Sequence, residues 1–317
     1  MKILVTGCAG FIGSHVCKAL LNRGDSVVGI DNLNNYYDVK LKQKNLEISK
    51  KSSAFKFYRQ DILNYDAIKK IFEKEKPDKV VHLAARAGVR ASLENPRLYF
   101  DTNVTGTLNL LELARDYNVK SFVFASSSSV YGNQKKIPFS EKDNVDYPIS
   151  PYAATKKAGE LLCHTYHHLY NMKITCLRFF TVYGPRGRPD MAPYLFVQGV
   201  MNGTPIKKYG DGKSRRDYAF VADIVKGVVA AVDKELEYEI INLGNNKPVE
   251  LNEFIRIVEK LVGRKAVINQ LPLPPGDVNT TCADISKAKK LLGYKPETSF
   301  EEGMKQFVEW FKQNQPK

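Results

Sequence analysis

The opening stretch of the chain limits the possible folds more than any other. Met1-Lys2-Ile3-Leu4-Val5 has the pattern of a short buried strand, and Thr6 to Gly13 forms a glycine-rich turn. A helix follows to about Asn22, and then a second strand, Ser26-Val27-Val28-Gly29-Ile30, runs into Asp31. Glycines at 7, 10 and 13 permit a tight turn and let an anion approach the backbone N–H groups at the start of the helix. Asp31, roughly 20 residues beyond the glycines, is placed to accept hydrogen bonds from ribose hydroxyls and to repel a 2′-phosphate. Strand, turn, helix, strand and acid in this order point to a dinucleotide site that prefers NAD over NADP.

The same alternation continues. Strand-like segments at Phe55–Tyr58, Lys79–Leu83, Ser121–Phe124 and Ile174–Leu177 are separated by helical stretches near Asp66–Lys74, Asn103–Tyr117 and Tyr152–Tyr170. That pattern predicts an α/β fold, a Rossmann-type doubly wound parallel sheet with helices on both faces. Beyond Arg178 the texture changes to Pro/Gly-punctuated segments such as Gly184–Pro189 and Leu271–Gly276. The expected organisation is an NAD-binding body over 1–178 with a return segment near 219–245. A smaller, interlaced α/β substrate lobe is expected from 179–218 and 246–317.

With 317 residues there is length for a sizeable core. No apolar run approaches the ~20 residues of a membrane span, and no charged-then-apolar leader opens the chain. The five cysteines, Cys8, Cys17, Cys163, Cys176 and Cys282, show no Cys-x-x-Cys pair or histidine at ligand spacing. They read as core thiols of a cytoplasmic protein, with no metal site expected. Net charge is +14, but the lysines are scattered in pairs such as Lys50-Lys51 and Lys289-Lys290. Without a clustered basic module, a nucleic-acid partner is not expected, and part of the excess can draw an anionic small substrate inward.

Chemistry concentrates in two runs, Ser126-Ser127-Ser128-Ser129-Val130-Tyr131-Gly132 and Tyr152-Ala153-Ala154-Thr155-Lys156. Tyr152 and Lys156, four apart, share one helix face. An ammonium within ~4–6 Å of a phenol favours the phenolate, giving a base that works near neutral pH. A serine hydroxyl such as Ser127 can share the proton it handles.

With these elements placed, the chain resembles the extended short-chain dehydrogenases/reductases, in the nucleotide-sugar epimerase/dehydratase group. Further motifs carry the resemblance along nearly the whole chain: Asp61-Ile62, His82-Leu83-Ala84-Ala85, Asn103 to Thr107, Arg216 to Asp223, and Pro275-Gly276-Asp277-Val278. It implies bound NAD, with Gly7, Ala9, Gly10, Phe11, Ile12 and Gly13 around the diphosphate and Asp31 and Asn32 at the ribose. Asp61 and Ile62 would meet the adenine, and Leu83, Ala84 and Ala85 would line the path to the nicotinamide, whose ribose Tyr152 and Lys156 touch. By the same resemblance Arg216 pairs with the nucleotide diphosphate, Tyr209 packs near the base and Asp277 lies beside them. Relatives pair the helices near 103–117 and 152–170 in a homodimer seam. Leu108, Leu110, Leu111, Leu161, Leu162 and Leu169 are the expected apolar contacts here.

In the dehydratases of the group Thr-Asp-Glu stands where this chain has Ser127, Ser128 and Ser129, and in the decarboxylases a Glu precedes the valine. With no carboxylate to drive elimination, the resemblance points to a 4-epimerase with Ser127, Tyr152 and Lys156 as catalytic residues. The stretches Asp31–Lys42 and Arg178–Ala192 are most similar to the UDP-glucuronate 4-epimerases. A sugar carboxylate would then find Ser128, Ser129 and Thr181 hydroxyls, with Arg90 and Arg188 the nearest cations. The alternatives are epimerisation of UDP-glucose/UDP-galactose or of a UDP-N-acetylhexosamine, and, in another class, a non-catalytic NAD sensor. Arg86 and Arg186 depart from the group's usual Gln and Trp, and both add positive charge.

Overall fold

The computed structural model describes residues 1–272 and 278–314. The first half alternates: β1 (Lys2–Thr6), α1 (Phe11–Asn22), β2 (Ser26–Asp31), α2 (Val39–Lys50), β3 (Phe55–Arg59), α3 (Tyr65–Glu75) and β4 (Lys79–His82). Two short helices, α4 (Val89–Glu94) and α5 (Pro96–Phe100), lead through a π-helical turn (Asp101–Thr105) into α6 (Gly106–Asp116) and β5 (Ser121–Ser127). A 3₁₀ turn (Ser128–Tyr131) and a long loop precede α7 (Pro151–Tyr170) and β6 (Ile174–Phe179). Then come β7 (Thr181–Tyr183), α8 (Ala192–Asn202), β8 (Ile206–Tyr209), β9 (Arg215–Phe220), α9 (Val221–Lys234) and β10 (Tyr238–Leu243). The remaining described elements are β11 (Pro248–Glu250), α10 (Leu251–Val262), β12 (Ile268–Leu271), α11 (Ser286–Leu292) and α12 (Phe300–Asn314).

Seven strands make one parallel sheet in the order β10–β6–β5–β4–β1–β2–β3. β4 and β5 are buried along their whole length, as strands covered on both faces must be. Helices α1, α2, α9 and α11 cover one face, and α3, α6 and α7 the other. The strand order reverses between β1 and β4, which leaves a crevice at the carboxyl ends of the strands. Over it sits a lobe built from the sheets β11–β9–β7 and β12–β8 with α8, α10 and α12. Its core is aromatic: Phe196, Phe254, Phe300, Tyr183 and Tyr218 meet at ring distances of 5.0 to 6.1 Å.

Two expectations need correction. The piece of lobe expected over 246–317 is interrupted, because Ala283, Ile285, Ala288, Leu292 and Tyr294 pack into the core of the large body against α9. The leucines expected at a seam divide by helix face. Leu110 and Leu111 are fully buried beneath α6, whereas Leu161 and Leu169 on α7 are 56% and 59% exposed. The spacing of α6 turns its leucines inward to the sheet, so only α7 keeps an outward apolar stripe.

Candidate active site

At the end of β1 the chain turns through Gly7 at φ +70°, a conformation that favours glycine, and a Cβ there would lie 2.8 Å from the Ala84 nitrogen. Gly13 is tighter: its Cβ would stand 2.1 Å from the Gly7 carbonyl oxygen. No side chain caps α1 at Gly10 and no acid lies in its first turn, so this end presents orphan N–H groups and the positive pole of the helix. Asp31 is buried, accepting from the Ala9 N–H (3.1 Å) and the Leu33 N–H (2.8 Å). Burial pushes its carboxyl up, opposed by the Leu33 amide and Lys42. Asn32 donates to Asp61 (2.7 Å), which also accepts from the Leu63 N–H (3.0 Å).

These residues line one end of a cleft of about 450 Å³. Gly7, Gly10, Phe11, Ile12, Gly13, Asp31, Asn32, Asp61, Ile62, Leu83, Ala84 and Ala85 all face it, whereas Ala9 is buried and does not line it. A backbone cradle that one Cβ would fill, an uncapped helix start and a buried carboxylate at the end of β2 fit the diphosphate and ribose of a dinucleotide.

Ser127, Ser128, Ser129, Tyr152, Lys156, Thr181 and Arg188 line the other end of the same cleft. Helix α7 is started by Ser150, whose hydroxyl accepts from the Ala153 N–H, with Pro151 in the first turn. That start sets Tyr152 beside the end of β5. Ser127 accepts from the Ser129 N–H (3.1 Å) and donates to the Ser129 hydroxyl (3.2 Å). Burial raises the Tyr152 phenol, and a hydrogen bond with Ser127 and the charge of Arg188 pull it down. Lys156 shares the helix face of Tyr152, as the spacing predicts. Its Nζ donates to the Ala125 carbonyl (2.7 Å) and lies 6.0 Å from the Tyr152 ring centroid. Burial lowers the ammonium to about 8, against the opposing charges of Cys163 and Glu160.

A polar chain underlies both ends. Thr107 donates to the Asn103 carbonyl (2.6 Å), so its oxygen accepts from His82 Nε2 (2.9 Å), and His82 Nδ1 accepts from Thr6 (2.7 Å). Thr6 in turn accepts from the Ala84 N–H (3.1 Å). Burial and the nearby Lys156 lower His82 to about 3, which keeps the ring neutral. The Asn103 side chain, in the π-helical turn, holds both the N–H and the carbonyl of Arg86 and donates to Thr155. Thr155 donates to the Tyr152 carbonyl (2.8 Å). The loop that carries Ala84 to Arg86 and the start of α7 are thus tied to one asparagine.

Other expected residues are not brought to this cleft. Arg90 is exposed and stacks on the Tyr209 ring at 4.9 Å, bridging α4 and β8 outside it. Arg216 donates to the carbonyls of Arg215 (3.0 Å) and Asn279 (3.3 Å). Asp277 lies outside the described residues. The two departures separate: Arg86 lines the cleft, whereas Arg186, at φ +66°, packs behind α1 and donates to His15 (3.1 Å). Sequence reasoning missed Tyr36, Tyr37, Lys42, Tyr99 and Asp190. Asp190 holds Arg188 (2.9 Å to Nε) and accepts from Tyr36 (3.2 Å), and Tyr99 meets the Tyr152 ring edge-on at 6.3 Å. The doubled Tyr36-Tyr37 after Asp31 was the available signal.

Residues 4–307 match the family model described as GDP-mannose 4,6 dehydratase. The chain is similar to a UDP-glucuronate 4-epimerase of Thermodesulfobacterium geofontis, 55% identical over 98% of this chain and 96% of the relative. Among solved structures it is similar to UDP-glucuronic acid 4-epimerase from Bacillus cereus in complex with UDP-glucuronic acid and NAD (TM-score 0.94, 41% identity, 99% of each chain). It also resembles UDP-glucose 4-epimerase from Thermotoga maritima with UDP-glucose (TM-score 0.91, 34% identity, 99% of each chain). With the seven-stranded parallel sheet, the glycine cradle and the Tyr152–Lys156 face in place, the chain belongs to the GDP-mannose 4,6 dehydratase family, within the extended short-chain dehydrogenases/reductases.

Proposed function

We propose that this protein is an NAD-dependent UDP-sugar 4-epimerase that interconverts UDP-glucuronate and UDP-galacturonate. The observation that carries the reading is the distribution of carboxylates in the cleft. Among its described lining residues only Asp31 and Asp61 are acidic, and both lie at the dinucleotide end. The reacting end is lined by hydroxyls and cations instead, with no carboxylate among its lining residues to serve as a base for eliminating water, and the one acid nearby, Asp190, is paired with Arg188. The similarity to the T. geofontis and B. cereus enzymes supports the same substrate.

Gly7 to Gly13 hold the cofactor's diphosphate and Asp31 and Asn32 its ribose. Bound there, NAD would supply the reversible hydride acceptor that inversion at the sugar C4 needs. Tyr152 takes the proton of the 4-hydroxyl and gives it back, with Ser127 sharing that hydrogen bond, so acid–base work of ~10²–10⁴-fold is assigned to this pair. Lys156, anchored on Ala125, places its ammonium near the nicotinamide ribose. Ser128, Ser129 and Thr181 meet the uronate carboxylate, and Arg188 draws it in. Arg216, Tyr209 and Asp277 serve the UDP end.

The working form is a C2 homodimer in the cytoplasm. The outward stripe of Leu161, Leu169 and Tyr170 on α7 supports the dimer, and five buried unpaired thiols suit a reducing compartment. No described helix is long and apolar enough to cross a membrane. The test supplies UDP-glucuronate, UDP-glucose and UDP-N-acetylglucosamine separately and resolves the products by chromatography. Formation of UDP-galacturonate is expected, and turnover of the neutral sugars alone overturns the uronate assignment. Light scattering that finds a monomer at micromolar concentration overturns the dimer.

A further inference from the structure

One turn beyond Lys156 on α7 lies a buried ion pair that the chemistry described so far does not use. Arg178 of β6 donates from Nε to one Glu160 carboxylate oxygen and from Nη2 to the other, both at 2.8 Å, and both side chains are 1% exposed. The first of those oxygens also accepts from the Ser126 hydroxyl at 2.6 Å. Ser126 pairs directly with Arg178 across β5 and β6, and it precedes Ser127 in the chain. The guanidinium lies under the Tyr131 ring at 4.9 Å, and its Nη1 is buried without a hydrogen-bond partner. Tyr131 is itself held by Asn242 of β10 (2.7 Å). Helix α7 comes close enough for this because residue 159 is glycine: a Cβ there would lie 2.3 Å from Phe124 of β5.

Such a pair is costly to bury, and an apolar pair of the same volume is often no less stable. Stability alone therefore gives little reason for it here, whereas its place does. Tyr152, Lys156 and Glu160 follow one another at four-residue spacing on one face of α7. The Glu160 carboxylate fixes that face to the end of β5 through Ser126, beside the hydroxyl that meets Tyr152. It also sets a negative charge beneath Lys156 that Arg178 balances.

We propose that Glu160 and Arg178 are positioning residues for the reaction: their paired charges and the Ser126 bond hold Tyr152 and Lys156 at the register and the local potential that proton transfer needs. This rests on the assignment of Tyr152 and Lys156 as the acid–base pair. The groups facing that pair are known from every side. Tyr152 meets Ser127 of β5, Tyr99 of α5 and the charge of Arg188 from the loop after β7. Lys156 meets the Ala125 carbonyl of β5, His82 of β4, and Cys163 and Glu160 on α7 itself. Glu160 and Arg178 are the members whose charges cancel.

The consequence has a sign that a merely structural role lacks. Glu160→Gln leaves Arg178 as an added positive charge, which favours the phenolate of Tyr152 and disfavours the ammonium of Lys156, so both titrate at lower pH. Arg178→Met leaves the opposite charge and moves both upward. The double variant is neutral and returns to the wild-type range. The Tyr152 shift is expected to be about one pH unit, from one charge two helical turns, ~12 Å, away in an effective dielectric near 20.

The experiment is an ultraviolet difference titration of the Tyr152 phenolate, with Tyr152→Phe subtracted, in the NAD-loaded wild type, both single variants and the double variant. Opposite shifts that cancel in the double variant support the proposal. Shifts of the same sign, or none, overturn it. Ser126→Ala guards against single variants that do not fold. It is expected to lower kcat about three- to tenfold with KM for the nucleotide sugar unchanged, and a wild-type kcat overturns the positioning role. The titration needs no sugar substrate, so its failure counts against the ion pair. A wild type that leaves UDP-glucuronate unconverted counts instead against the substrate assignment.

Discussion

Replacing Gly13 by alanine tests the cofactor cradle where it has least room. The new Cβ would stand 2.1 Å from the Gly7 carbonyl oxygen, 2.8 Å from the Gly7 carbonyl carbon and 3.1 Å from the Cys8 Cα. All three are backbone atoms, so no side chain can rotate away. Restoring ordinary contact requires the turn and the first turn of α1 to part by about 1 Å. Overpacking of this kind costs about 1–3 kcal/mol, or roughly 1.5–5 °C in Tm for a protein of this size. The same displacement moves the N–H groups of Phe11 to Gly13 off the diphosphate. Losing one charge-assisted hydrogen bond costs about 1.5–3 kcal/mol, which is roughly ten- to over a hundredfold in NAD affinity. Gly10→Ala is the internal control: its Cβ would lie 3.1 Å from the same oxygen, close enough to crowd but within reach of a small adjustment. Calorimetric NAD titrations and thermal melts with and without NAD measure both effects. Equal affinities for wild type and Gly13→Ala would refute the placement of the diphosphate on this turn.

Tyr152→Phe should retain NAD while turnover falls ~10²–10⁴-fold, as measured by product formation at saturating UDP-glucuronate; near-normal turnover removes Tyr152 from proton transfer. With Lys156 at about 8, its ammonium persists below that pH and is lost above it. The kcat profile should therefore fall on the alkaline side, and Lys156→Arg should move that fall upward. Ser129→Glu should raise KM for UDP-glucuronate far more than for UDP-glucose. Like charges ~4 Å apart repel by about 4 kcal/mol at an effective dielectric near 20. Equal losses for the two sugars would show that Ser129 does not face the carboxylate. His82, held neutral with a folded value of about 3 against 6.5 free, binds its proton only in the unfolded chain between those limits. Stability should thus fall with decreasing pH from about 6.5 towards 3, by about 1.4 kcal/mol per unit from this residue. Melts of wild type and His82→Asn across that window check the slope.

Much of the scaffold was legible in the sequence because its causes are local. A buried parallel strand shows as an unbroken apolar run such as Ile3-Leu4-Val5. A turn that must approach an anion needs glycine, and a helix face places Tyr152 above Lys156 by geometry alone. The cofactor end of the cleft, the serine run and the alternating order of strands and helices all follow from such short-range rules.

What the sequence could not state depends on which distant segments meet. Ser126, Glu160 and Arg178 are separated by many residues and join only because β5, β6 and α7 pack together. Asn103 reaches Arg86 and Thr155 because the π-helical turn brings it under the loop. Within the motif Arg216 to Asp223, the Asp217 carboxylate is buried and accepts the N–H groups of Asn245, Asn246 and Ala283, partners that no local rule names. Spacing fixes the helix face of Lys156, but the Ala125 carbonyl on a neighbouring strand decides where the ammonium points. Helical period likewise gave both α6 and α7 an apolar side, and only the sheet's position assigned Leu110 and Leu111 to the core while leaving Leu161 and Leu169 outside. Local propensity and motif chemistry are properties of short segments; the partners of a buried charge or an apolar face are set by the arrangement of the whole chain.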